Sequence, residues 1–215
     1  MSTEVARVGG RLLALATSAI ARLREAPKPL HPYGETWAAH ITRTGAPDHP
    51  TGVPWLDTAG EDDAVVRLSE GVGLPRGWPD VLGLAVRVPH EGSPADVLLA
   101  TTGSGPLGRF VPLLTRTRQG RTFSTLMPYR GPNGPVVLAA RARSPRTFDL
   151  AHAAPPGVWH RFGRLELLHP VDADPSFDPM GNRPEGLDHY GWMRLLRAPA
   201  YRTARASRGE ATTTD

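Results

Sequence analysis

The sequence predicts an α+β protein built on an antiparallel β-barrel with flanking helices. Three observations carry this expectation. Gly and Pro number 23 each in 215 residues, a share that favours many short elements joined by tight turns over a helical bundle. Short apolar runs recur between residues 36 and 168, and each is bounded by Gly, Pro, Asp or Asn. Apolar residues at helical spacing are confined to the two ends and one central stretch. A chain of this length forms about one domain and can bury a substantial core.

Residues 3–25 repeat Ala and Leu at helical spacing until "APKP" stops them, so 1–26 are expected to form an N-terminal helix. Strands are then expected at 36–41, 64–68, 82–88, 96–101, 122–127, 136–142 and 159–168, the pattern of a meandering sheet or barrel. A helix is expected at 107–118 and a second at about 190–208, which closes a barrel domain spanning 27–208. The acidic pieces "EDD" (61–63) and "DADPSFD" (172–178) read as loops, and "FDPMGN" (177–182) as a turn into the last helix. Trp37, Trp55, Trp78, Trp159 and Trp192 are assigned to the core, and "GEATTTD" (209–215) to a disordered tail.

With no cysteine, the sequence has no disulfide framework, zinc ribbon or thiol nucleophile, and a cytoplasmic location is the default expectation. The eight histidines show no metal-binding spacing. Residues 12–20 are too short an apolar run to span a bilayer, and Glu4, Arg22 and Arg24 favour an amphipathic helix over a secretory signal. Gly103, Gly105 and Gly108 spell G-x-G-x-x-G, but Pro106 interrupts it and no ribose-binding acid follows, so it reads as a turn. The basic excess is nearly all arginine and concentrates in "WMRLLRAPAYRTARASR". Aromatic interleaving there is sparse, so a nucleic-acid partner is not expected.

Four segments carry chemistry, in a fixed order. "KPLHPYG" holds Lys28, His31 and Gly34; "VVRLSEGVGLPRGWPDVLGLAVRV" holds Arg67, Ser69, Asp80 and Gly83. "DVLLATT" begins at Asp96, and "RAPAYRTARASR" holds Arg197, Tyr201, Arg205 and Arg208. Together these segments resemble the heme catalases. In that family a V-H-A-x-G-like segment gives the distal histidine, followed by R-F-S, D-x-x-G-F-A, D-L-x-x-N-N and finally R-x-x-x-Y with a further arginine seven residues on. The resemblance runs nearly continuously over residues 28–102 and again over 197–208. It implies heme b held between a barrel and a C-terminal helix.

By that resemblance Tyr201 is the axial iron ligand. A phenol ionises only near pH 10, and permanently charged Arg197 and Arg205 beside it would favour the phenolate. Arg67, Arg208 and Lys28 would meet the two propionates. His31 would move the proton between peroxide oxygens, with Ser69 fixing its tautomer. The family's distal asparagine falls near Ala100–Thr102, where no amide stands, and Thr101 or Thr102 would replace it with a hydroxyl. Three readings follow: a catalase or peroxidase using peroxide and a small organic substrate, an enzyme of organic hydroperoxides resembling allene oxide synthase, or a heme-binding barrel without turnover. Family members commonly associate, so a homo-oligomer is also expected.

Overall fold

The computed structural model describes residues 34–71, 78–89 and 94–191. Nine strands dominate: β1 (Gly34–Arg43), β2 (Gly60–Glu70), β3 (Leu82–Val88), β4 (Ala95–Thr102), β5 (Thr122–Ser124), β6 (Tyr129–Gly131), β7 (Gly134–Ala142), β8 (Thr147–Ala153) and β9 (His160–Pro170). One short helix, α1 (Pro54–Asp57), and a single 3₁₀ turn (Gly108–Phe110) accompany them. The chain divides into two units, Pro29–Asp188 and a second made of Met1–Lys28 and His189–Asp215; the description that follows is of the first.

The neighbour order is β5-β4-β3-β2-β1-β9-β8-β7-β6, every pairing is antiparallel, and β5 also pairs with β7. That last pairing closes eight strands into a barrel, and β6 extends from β7 as a hairpin arm. Closure leaves the eight strands without a free edge.

Period-two alternation explains which face is which. In "LGLAVRV" Leu82, Leu84, Val86 and Val88 are buried while the residues between them are half-buried. The inward set continues with Val66 and Leu68 of β2, Val97 and Leu99 of β4, and Phe123 of β5. Phe123 meets Phe148 of β8 edge-on, with ring centroids 6.0 Å apart. Outside the strands, the Asp57 carboxylate of α1 accepts the N–H groups of Thr51 (2.9 Å) and Gly52 (2.8 Å), which ties the β1–β2 connection to its own helix. Gly52 sits at φ 79°, a conformation that favours glycine.

All seven expected strands are present, although the fifth shrinks from 122–127 to Thr122–Ser124. Three expectations are corrected. Residues 107–118 form no helix beyond the turn at Gly108–Phe110, because Pro112 lies in extended chain bridged to Thr102 and cannot donate the N–H a helix interior needs. "EDD" belongs to β2: Glu61, Asp62 and Asp63 pair with Thr42, Ile41 and His40 of β1. Asp62 accepts hydrogen bonds from Arg43 Nε (2.7 Å) and Trp55 Nε1 (3.1 Å), so the acid has a structural partner. Trp78 is exposed rather than in the core. Strands β6 and β8 were absent from the expectation. The expected loop at 172–178 holds no strand or helix, and 179–181 turn as expected. The N-terminal helix, the helix from 192 onward, Trp192 and the tail lie outside the described residues.

Candidate functional site

One row of outward-facing residues crosses adjacent strands at one end of the barrel. Gly34 of β1 pairs with Ser69 of β2, Ser69 with Gly83 of β3, Gly83 with Ala100 of β4, and Ala100 with Ser124 of β5. Every member is small, so the row forms a shallow surface. Arg67, two residues before Ser69, shares its face and pairs across with Thr36 and Ala85.

The two glycines of the row make room for the two functional side chains. A methyl group on Gly83 would stand 2.5 Å from Ser69 Oγ, so that hydroxyl lies over the glycine. A methyl group on Gly34 would stand 2.9 Å from Arg67 Cζ and Nε, so the guanidinium lies over that backbone. These are the glycines that the sequence motifs contain. Antiparallel register sets them on either side of Ser69. Ser69 is buried, and its hydroxyl has no hydrogen bond among the described residues. Arg67 is half-buried and reaches Asp174, an exposed residue, at 3.3 Å.

The stretch where the resemblance lacks its amide is resolved atom by atom. Ala100 lies in the row itself. Thr101 is fully buried and committed to the fold: its Oγ1 accepts the Leu82 N–H (3.0 Å) and donates to the Leu113 carbonyl (2.7 Å). Thr102, also buried, keeps a hydroxyl with no partner among the described residues. Lys28, His31, Arg197, Tyr201, Arg205 and Arg208 lie outside the described residues. His31 precedes the first residue of β1 by three positions.

Asp96, the first residue of the third motif, has a role that spacing alone did not reveal. Its carboxylate is fully buried and takes a two-pronged contact from Arg87, Nε to Oδ1 and Nη2 to Oδ2, both at 2.7 Å. Asn182 Nδ2 (2.9 Å) and the Asp178 N–H (2.8 Å) donate to Oδ2. Burial pushes this carboxyl up, but the bonds from Arg87, Asn182 and Asp178 outweigh it and hold the pKa below its usual value. Asp96 therefore fastens the 176–182 turn to the barrel. The Arg87–Asp96 pairing across β3 and β4 was legible as an outward arginine opposite an outward aspartate once the register was known.

The structure also gathers histidines that are far apart in sequence. His152 of β8 pairs with His160 of β9, their rings 5.7 Å apart, and His49 stacks on His160 at 3.5 Å. His152 is buried beside Phe162, and its Nε2 has no partner among the described residues. Burial first, and then the neighbouring His160, lower its pKa to about 4. No group of three or more His, Cys, Asp or Glu among the described residues is arranged to hold a metal ion.

With this geometry in place, comparison with solved structures is informative. Catalase A from Saccharomyces cerevisiae superposes with a TM-score of 0.58 at 11% identity, covering 89% of this chain and 63% of that one. The described barrel is catalase-like. A fungal catalase gives a TM-score of 0.56 at 12% identity, covering 89% of this chain and 61% of that one. The chain thus spans about three-fifths of the length of these catalases. No protein-family model matches the sequence, and no curated protein matches it. At such identity the likeness establishes the fold, and the site rests on its own residues.

Proposed function

We propose that the protein is a heme-dependent, peroxide-using oxidoreductase whose cofactor, heme b, lies against the small-residue row on the outer face of the catalase-like barrel. The observation that carries this reading is the placement of Ser69 and Arg67 over the two motif glycines, on a barrel of catalase-like fold. A planar ring laid against this row would meet the Ser69 hydroxyl over Gly83 and the Arg67 guanidinium over Gly34, with Ala100 alongside. A guanidinium beside it suits a propionate. The residues present therefore fit the group.

In this reading Tyr201 would hold the heme iron, with Arg197 and Arg205 favouring its phenolate, and Arg208 and Lys28 would join Arg67 in holding the propionates. Bound heme supplies the redox chemistry of peroxide cleavage. The chain's own residues supply the proton transfer. His31 takes the proton from one peroxide oxygen and returns it to the other, which requires a neutral imidazole with one free ring nitrogen. The unengaged Ser69 hydroxyl is available to hold the other nitrogen.

A second reading is favoured by a specific observation. Ala100 occupies the row and the Thr101 hydroxyl is spent on main-chain groups, so neither offers the amide that would orient hydrogen peroxide. An organic hydroperoxide, oriented by its own carbon skeleton, tolerates that loss better. Hemin titration followed by absorption spectroscopy, on the wild type beside Tyr201→Phe, tests the common core of both readings. A ferric phenolate spectrum that the variant lacks is expected, and His31→Ala should keep the heme but lose peroxide-dependent turnover. A wild-type chain that never takes up hemin sinks both.

A further inference from the structure

We propose that the loop joining β4 to β5 is a docking surface for an anionic lipid membrane, which it enters peripherally with its aliphatic side chains. Leu107 is 72% exposed, Val111 50%, Leu113 38% and Leu114 58%, and two more exposed apolar residues adjoin them, Val158 at 70% and Trp78 at 66%. Single exposed apolar residues are ordinary on protein surfaces; a contiguous group marks an interaction site.

Hydrogen bonds make the group contiguous. On one side, Arg109 Nη2 donates to the Gly157 carbonyl (2.7 Å) and Trp159 Nε1 to the Ser104 carbonyl (2.9 Å), which places Val158 between two residues tied to this loop. On the other side, Asp80 and Thr115 exchange main-chain bonds at 2.9 Å, which brings the chain at Trp78 alongside. The Gly103–Gly108 approach, where a methyl group on Gly103 would meet Gly108 Cα at 3.0 Å, folds the chain into a tight turn that includes Leu107, which stays 72% exposed.

Charge selects the partner. Residues 103–121 contain Arg109, Arg116, Arg118 and Arg121 and no Asp or Glu. Arg116 and Arg121 are exposed and form no ion pair among the described residues. Aliphatic tips flanked by unpaired cations match a surface whose interior is apolar and whose headgroups are anionic. Exposed Trp78 adds the side chain best suited to the boundary between them. A symmetric contact with a second copy would instead bring these arginines against one another. No helix among the described residues is long and apolar enough to cross a membrane, so the attachment is peripheral.

Flotation of the full chain with phosphatidylcholine vesicles, with and without phosphatidylserine, tests the proposal. Binding is expected only to the phosphatidylserine vesicles, and should weaken as salt is raised. Leu107→Asp with Leu114→Asp should lower the affinity about tenfold or more. Arg116→Gln with Arg121→Gln should lower it about fivefold for each charge removed. Both pairs are surface changes, and unaltered circular-dichroism melts would show that the barrel persists. Fluorescence of Trp78, read as the difference from Trp78→Phe, should shift to the blue on binding. A wild-type chain that binds neither vesicle overturns the proposal. So does an oligomer that the leucine variants dissociate while vesicles are ignored, since a second copy would then be the occupant. Apo and hemin-loaded protein should behave alike, so failure of the heme reading leaves this result standing.

Discussion

The contact between Ser69 and Gly83 can be isolated by a double-mutant cycle. Gly83→Ala places a methyl group 2.5 Å from Ser69 Oγ but 3.9 Å from Ser69 Cβ. Only the hydroxyl has to move, and driving a side chain off its rotamer costs about 0.5–1.5 kcal/mol. The same substitution lowers unfolded-state entropy and by itself contributes about 0.4–1 kcal/mol of stability, since Gly83 holds no left-handed conformation. In the wild-type background the two effects nearly cancel. In a Ser69→Ala background the clash is gone and only the gain remains. The expected coupling is about 1 kcal/mol, or about 2–4 °C in melting temperature for a chain of this size. Urea unfolding of the four proteins measures it, and the backbone term cancels around the cycle. If Gly83→Ala changes stability equally in both backgrounds, Ser69 does not lie over Gly83 and the row is misread.

Three further outcomes follow from contacts elsewhere. Gly163→Ala would set a methyl group 2.7 Å from the Thr42 carbonyl oxygen and 3.2 Å from Arg43 Cα; main chain must give way at the β1–β9 seam, and denaturant unfolding should show a loss of about 2 kcal/mol. Asp96→Ala leaves Arg87 without its two-pronged partner and frees the 176–182 turn, which should cost about 3 kcal/mol or more and raise proteolysis there. His152 has a folded pKa lowered from 6.5 to about 4, so between those values the unfolded chain binds the extra proton and stability falls as the solution is acidified. The loss from this group reaches about 3 kcal/mol and levels off near pH 4; urea unfolding at pH 7 and pH 5 should differ, and His152→Leu should remove most of the difference, leaving the share of His160, whose pKa burial also lowers. Asp96 acts lower still, since its stabilisation is complete above the unfolded value of about 3.9 and is lost as pH falls through its lowered folded value.

The strands were legible wherever one face alone is buried. "LGLAVRV" alternates without interruption, and β3 begins and ends where the alternation does. "TFDLAHA" carries the same alternation through Phe148, Leu150 and His152, but its third inward residue is a histidine, which a reading of apolar period leaves out. The error at 107–118 has the opposite cause. Its leucines and valine are spaced for a helix, yet they face solvent and Pro112 forbids the ladder, so spacing there reports a surface rather than a core. The described part of the candidate site was legible as motifs because Gly34, Ser69, Gly83 and Asp96 each lie at or next to a strand end. Its lateral arrangement was not, because register is set by pairing between segments far apart in sequence.

That arrangement gives the choice between the two functional readings a direct test. Ala100 lies in the row beside Gly83 and two strands from Ser69, whose hydroxyl lies over that glycine. Ala100→Asn would therefore set an amide on the same face as the Ser69 hydroxyl, where a planar donor and acceptor can hold a small peroxide. If hydrogen peroxide is the substrate and orientation limits its turnover, kcat/KM for disproportionation should rise about tenfold or more, the scale expected for one positioned hydrogen-bonding group. If the open row admits a larger hydroperoxide, the same amide obstructs it, and kcat/KM for an organic hydroperoxide should fall while the melting temperature holds. A variant that binds hemin like the wild type and changes neither rate would place the reacting oxygens away from Ala100, and the row would then serve the cofactor alone.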